Sequence, residues 1–280
     1  MSIAKHILDQ FPMGGRGPWK DIPEAQWSDW KWQLQHRIDD LEGLRKVISV
    51  TDEEASAIKA GQDLFHIGIT PYYSSQIAPT DPACPVRLQC VPRMGEMQVE
   101  DWDLEDPLGE EKDMPVPGIT HRYPDRALFY VTPNCAMFCR HCTRKRKVAD
   151  PSTAANDEQI QGGIDYVAAH PEIRDVIVSG GDPLTFSDDK LESILARLRA
   201  IPHVQILRLG TRVPVTLPQR ITPALVEMLK RYQPIYVNTH FNHPKECTRE
   251  SFNACALLAD AGMPIGNQMV LLREVNDDPA

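Results

Sequence analysis

Residues 127–142 read Ala-Leu-Phe-Tyr-Val-Thr-Pro-Asn-Cys-Ala-Met-Phe-Cys-Arg-His-Cys, and this stretch decides the fold. Its first six residues are a short apolar run of the kind that forms a buried strand. The run ends in a C-x3-C-x2-C array of Cys135, Cys139 and Cys142. A loop at the C-terminal end of such a strand is where α/β proteins place their chemistry.

Downstream the pattern repeats. Apolar strands are expected at 175–179, 206–211, 235–240 and 265–272, with helices between them. One helix opens at Asn156, with Gln159 as its capping-box partner, and stops near Pro171. Another follows Ser187, with Asp188 and Asp189 in its first turn. A third starts at Thr222 with Pro223 at its first position, and a fourth runs from about Thr248 to Gly262. Repeated βα units predict a parallel sheet or barrel. The fifth strand has no successor before Ala280, and a full barrel needs about 250 residues. The reading is therefore a partial, TIM-like (β/α) barrel over 121–280, lacking a C-terminal segment.

Upstream, residues 1–120 read as an N-terminal helical and wrapping region. Trp27, Trp30, Leu34, Ile38 and Leu41 follow helical spacing within 15–62. Thr51 and Glu54 form a capping box for a helix that Gly61 can close. From 63 to 125 proline and turn residues dominate, with no sustained period.

The chain has 280 residues, 42% hydrophobic and 25% charged, enough for a substantial core. A net charge of −9 argues against nucleic acid as a partner. No apolar run is long enough to span a bilayer, and residues 1–14 carry no secretory core. Seven cysteines, three of them clustered, favour a reducing cytoplasm over a disulfide framework. Cys84, Cys90, Cys247 and Cys255 read as plain thiols.

Three thiolates without an evident fourth suit an iron–sulfur cluster with one iron open to another ligand. Zinc with a histidine fourth ligand is the rival, although His141 beside Cys142 is badly placed for it. Five cations lie between Arg140 and Lys147. They read either as a solvated face or as a carboxylate site, for which arginine is the suited residue. Arg122, Tyr123 and Arg126 can cradle a phosphate or form a surface ion-pair segment. The two glycines of the run Ser179-Gly180-Gly181-Asp182 either let backbone approach a ligand or simply make the turn. Asp182, Arg212, His240 and Gln268 fall at or near C-terminal strand ends with the cysteines, positions that converge in a barrel.

These motifs together resemble the lysine 2,3-aminomutase family of radical S-adenosylmethionine enzymes. The runs at 121–126, 139–144, 179–184, 210–215, 217–222, 238–244 and 266–268 carry the likeness, with 103–110 and the tryptophan-rich N-terminal segments. The resemblance implies a [4Fe-4S] cluster on Cys135, Cys139 and Cys142. It implies S-adenosylmethionine against His141, Ser179, Gly180, Gly181, Asp182, His240 and Gln268. It further implies pyridoxal 5′-phosphate on Arg122, Tyr123 and Arg126, and a substrate α-carboxylate on Arg144. The implied reaction is an isomerisation that moves the α-amino group of L-lysine to Cβ. Glutamate 2,3-aminomutases and the lysine aminomutase linked to elongation factor P are the alternatives within the family. The lysine that would anchor pyridoxal phosphate is expected beyond Ala280, so no catalytic residue is assigned within the chain. A truncated non-catalytic relative or a zinc-binding module are the readings of another class. Expected partners are a small amino-acid substrate, a flavodoxin- or ferredoxin-like electron donor and a second copy of the chain.

Overall fold

The structure is a computed structural model and describes residues 10–61, 66–101 and 103–278. The beginning of the stretch read for a secretory core, residues 1–9, and the last two residues lie outside the described ones.

Six strands form one open sheet in sequence order. They are β1 (Ile119–Tyr123), β2 (Arg126–Thr132), β3 (Asp175–Gly180), β4 (Ile206–Gly210), β5 (Ile235–Thr239) and β6 (Ile265–Asn267). Strands β2 to β6 are parallel, and β1 pairs antiparallel with β2. The expected partial barrel is thus present as an unclosed sheet of βα units. Alternation sorts the side chains. Phe129, Val176, Val178, Leu207, Leu209 and Val237 are fully buried in the core that the helices complete. The intervening residues face away from the helices. The register sets Tyr130, Ser179, Gly210, Asn238 and Gly266 in one row across that open face.

The four connecting helices are Asp157–Ala169, Asp188–Arg199, Pro223–Lys230 and Arg249–Asp260. Each starts at the predicted cap, because a side-chain oxygen of Asn156, Ser187, Thr222 or Thr248 accepts an otherwise orphaned backbone N–H. Asn156→Ala is expected to cost about 1 kcal/mol, measured as a shift in the urea midpoint at constant slope.

Three expectations need correction. Residues 121–126, read as a segment before the first strand, are the end of β1 and the hairpin into β2. The fifth predicted strand, 265–272, stops at Asn267. There Gln268 N donates to Thr239 O at 2.7 Å and Val270 N to Asn242 Oδ1 at 3.0 Å, turning the chain across the end of β5. The N-terminal region is a series of short helices rather than one continuous face: Glu24–Trp27, Trp30–Gln35, Leu41–Arg45 and Asp52–Ala60. Asp29 and Asp40 interrupt it, each capping the helix that follows with its own carboxylate.

The N-terminal region builds a second core from Leu44, Ile69, Tyr73, Val86 and their neighbours, into which Met137 and Val215 insert. Arg87 clips this core together. Its Nε and Nη2 donate to Glu54 at 2.7 and 2.6 Å with both side chains buried. Glu54 is also the capping-box partner of Thr51. The wrapping region therefore reaches the cysteine loop and the turn after β4, which positions the site.

Candidate functional site

Cys135, Cys139 and Cys142 occupy the loop after β2, as read from the sequence. They line a cavity of about 360 Å³ with His141, Arg144, Ser179, Gly180, Gly181, Asp182, Arg212, His240 and Gln268. Five strand ends supply these residues, which is the convergence a parallel sheet imposes.

The loop is held from both sides. From the N-terminal region, Gly68 O accepts from Phe138 N and Gln89 O from Arg140 N, each at 2.9 Å. Arg37 donates to Cys135 O, and Glu96 accepts from Arg140 Nη2 at 2.6 Å. From the sheet, Gly181 N donates to Thr132 O and Asp182 N to Asn134 O at 2.6 Å. The two glycines are needed for this approach. Gly180 has φ +125°, and a Cβ on Gly181 would lie 2.3 Å from Asn134 O. Their first task is close packing against the cysteine loop, a reading the sequence could not separate from ligand approach.

Asp182 is 4% exposed, and its carboxylate is engaged inside the protein. Thr211 Oγ1 donates to both oxygens, Leu184 N to Oδ1 at 3.0 Å and Arg212 N to Oδ2 at 2.7 Å. Burial pushes the Asp182 carboxyl up to about 6 against the pull of these bonds. The residue ties the end of β3 to the end of β4.

The thiols are shaped by burial. It drives Cys135 well above the ordinary thiol range, helped by Asp182 and the other two cysteines, and pushes Cys142 up to about 11. Ligation must therefore displace protons, which a soft metal centre does. Among the described residues, no three His, Cys, Asp or Glu side chains form a group that could hold a single metal ion. A cluster distributes its thiolates over separate irons. The donor set fits an iron–sulfur cluster.

His141 is neutral: burial, then the charge of Arg212, pushes its imidazole down to about 3. Its buried Nδ1 has no hydrogen-bond partner. The His141 side chain lines the cavity, and a neutral imidazole is suited to packing beside an aromatic heterocycle such as adenine. His240 is also held below its usual value by burial and Arg212.

The comparisons agree with this geometry. A family model for the Radical SAM superfamily matches residues 129–280. The chain is 54% identical over 258 residues to the L-lysine 2,3-aminomutase of Clostridium subterminale, covering 92% of this chain and 62% of that protein. It is 48% identical over 263 residues to a putative L-lysine 2,3-aminomutase of Aquifex aeolicus, covering 93% and 70%. The chain belongs to the lysine 2,3-aminomutase family. A glutamate 2,3-aminomutase of Clostridioides difficile is 50% identical over 255 residues, covering 91% of this chain and 60% of that protein. The chain spans about 60% of the length of several of the curated relatives it matches.

Membership of a radical S-adenosylmethionine family implies an iron–sulfur cluster and S-adenosylmethionine. The other predicted residues lie in two places. Arg144 lines the cavity, and its Nε and Nη2 hold the buried carboxylate of Glu110. Arg146 and Lys147 meet the same acidic segment, Arg146 pairing with Asp106 and Glu111 and Lys147 with Glu111. Asp106 and Glu110, within the run 103–110, are thus counter-charges of Arg146 and Arg144, and the Glu110–Arg144 pair is a contact the sequence reading missed. Arg122, Tyr123 and Arg126 lie outside the cavity, at the hairpin that begins β2. Arg126 stacks over the Tyr123 ring at 5.3 Å and pairs with Asp125, while Arg122 pairs with Asp113 at 2.6 Å. They are about 20 Å from the cysteine end along β2. Arg126 shares the open face with Leu128 and Tyr130, so that face connects the two places.

Proposed function

We propose that the protein is a radical S-adenosylmethionine, pyridoxal-phosphate-dependent 2,3-aminomutase that converts L-lysine to β-lysine. The observation carrying this reading is the layout of one sheet face. Three cysteines and Arg144 stand at its upper end, and Arg126 with its cross-strand partner Tyr123 at its lower end, Arg122 being the next residue along β1. When bound, the cluster and S-adenosylmethionine would supply a hydrogen-abstracting radical, and pyridoxal phosphate an aldehyde that holds the amino nitrogen in a C=N bond through which it could migrate.

The chain's own residues supply position. Arg144 already accommodates a carboxylate across Nε and Nη2, the two-oxygen pattern that an amino acid's α-carboxylate offers. An α-carboxylate there exchanges with Glu110 and fixes Cα and Cβ relative to the cysteine loop, where small errors are costly. Arg122, Tyr123 and Arg126 offer donors for a phosphate, with their aspartates as the displaced partners. His141 lines the cavity and offers its imidazole to adenine. The glycines at 180 and 181 keep the cavity wall close to the loop.

Lysine is preferred because several matched relatives carry that name, at up to 54% identity. Glutamate is the second reading, favoured by the 50% identical relative. The test is anaerobic reconstitution with iron and sulfide. S-adenosylmethionine, pyridoxal phosphate, a reductant and either amino acid are then added, and the products are separated by mass spectrometry. β-Lysine from lysine is the expected result. β-Glutamate alone would move the assignment to the second reading. Cleavage of S-adenosylmethionine without any β-amino acid would defeat both.

A further inference from the structure

We propose that Arg212 is the positioning residue of the cluster, holding the Cys139 thiolate and setting the reduction potential. The inference rests on the reading of the three cysteines as cluster ligands and goes beyond it.

Arg212 follows β4 and is 8% exposed. Its Nη1 donates to Cys139 Sγ at 2.9 Å across 73 residues of sequence. Every other polar contact of the side chain serves to immobilise it. Nε donates to His240 O at 3.2 Å, and Nη2 to Glu246 Oε1 at 2.7 Å, to Gln89 Oε1, and to Tyr73 OH at 3.4 Å. The backbone N–H of Arg212 is held by Asp182. Glu246 is fully buried and fixed in turn. Tyr73 OH donates to its Oε1 at 2.7 Å, and Asn242 N and His243 N donate to its Oε2 at 2.7 and 3.0 Å. The planar fork thus spans a buried carboxylate on one side and a sulfur on the other, which an ammonium cannot reproduce.

A buried cation is expensive unless paired, and Glu246 pairs this one. That pairing does not require Nη1 to reach a cysteine. Cys142 Sγ, by contrast, accepts from a neutral backbone N–H, that of Arg144, at 3.4 Å. A charged N–H···S contact favours the cluster state with more negative charge, the reduced one. Arg212 should therefore raise the potential and make the cluster easier to load with an electron. It also ties the cysteine loop, the N-terminal region through Tyr73 and Gln89, and the β5 loop through Glu246 into one unit.

The test uses the parent protein, Arg212→Gln and Arg212→Lys, reconstituted anaerobically without S-adenosylmethionine. Iron content, circular dichroism and an electron paramagnetic resonance redox titration are measured on each. Parent-like iron content is expected in the variants. At a fixed ambient potential, Arg212→Gln is expected to lower the reduced-to-oxidised ratio about tenfold, a midpoint about 59 mV more negative. Arg212→Lys keeps the charge that Glu246 needs but loses the fork, and is expected to shift the ratio the same way, by less. Parent-like midpoints at parent-like iron content overturn the assignment. Should Arg212→Gln fold poorly with Glu246 left unpaired, Arg212→Lys decides alone: a lowered ratio supports the assignment and an unchanged one overturns it. A parent protein that takes up no iron overturns the cluster reading and this role with it, a result distinct from an unshifted potential.

Discussion

Replacing Cys135, Cys139 and Cys142 together by serine is expected to reduce iron uptake on anaerobic reconstitution to background. A serine hydroxyl does not ionise in this range and is a hard oxygen donor, so the soft ligand set is lost outright. The fold should survive the change. The loop is held by backbone bonds from Gly68 and Gln89 and by those linking Thr132 and Asn134 to the Gly181–Asp182 turn. The substitutions also remove buried thiols whose ionisation is already unfavourable. The measurement is iron and sulfide content together with the visible absorption of the protein, with thermal unfolding of the apo forms as the control. A triple variant that still assembles a cluster would show that the ligands lie elsewhere.

Gly181→Ala should be almost as damaging, for a different reason. The added methyl would lie 2.3 Å from Asn134 O and 2.7 Å from the carbonyl carbon of Pro133. Both are backbone atoms of the cysteine loop, so no side-chain rotation relieves the clash. Overpacking of this kind costs about 3 kcal/mol at the upper end of its usual range. The movement that relieves it displaces Asn134 and hence Cys135. Iron uptake should fall well below the parent's in parallel with the denaturation midpoint. Gly162→Ala supplies the contrast. Gly162 lies on the exposed face of the helix Asp157–Ala169, with nothing within 4 Å of the added carbon. Alanine there should stabilise by up to about 1 kcal/mol and leave iron uptake unchanged. Equal behaviour of the two variants would defeat the packing argument.

The elements that could be read from the chain were those with local causes. The caps at Asn156, Ser187, Thr222 and Thr248 involve partners three residues away, and each helix begins where its cap is. Strand β1 escaped notice because Ile-Thr-His-Arg-Tyr has no apolar run of its own; it is a strand because β2 offers it an edge. The N-terminal apolar spacing suggested one helix face, but Asp29 and Asp40 turn backbone N–H groups to their own carboxylates and divide it. The cut at Asn267 depends on Thr239 and Asn242, on a neighbouring strand and its loop.

The candidate site divides in the same way. Cys135, Cys139 and Cys142 are compact in sequence because they share the loop after β2, and Arg122, Tyr123 and Arg126 because a tight hairpin joins β1 to β2. Glu110 pairs with Arg144 across 34 residues, and Arg212 reaches Gln89 across 123. No spacing rule marks such pairs. By itself the sequence determined the order of βα units, the helix starts and the placing of three cysteines on the loop after β2, since periodicity, capping and residue spacing are short-range constraints. Only the tertiary structure decided that Gly181 packs on the cysteine loop, that Asp182 locks two strand ends, and that the Arg212 guanidinium lies between Glu246 and Cys139. Those outcomes depend on strand register and on burial, which desolvates charges until each finds a partner that the folded sheet brings within reach.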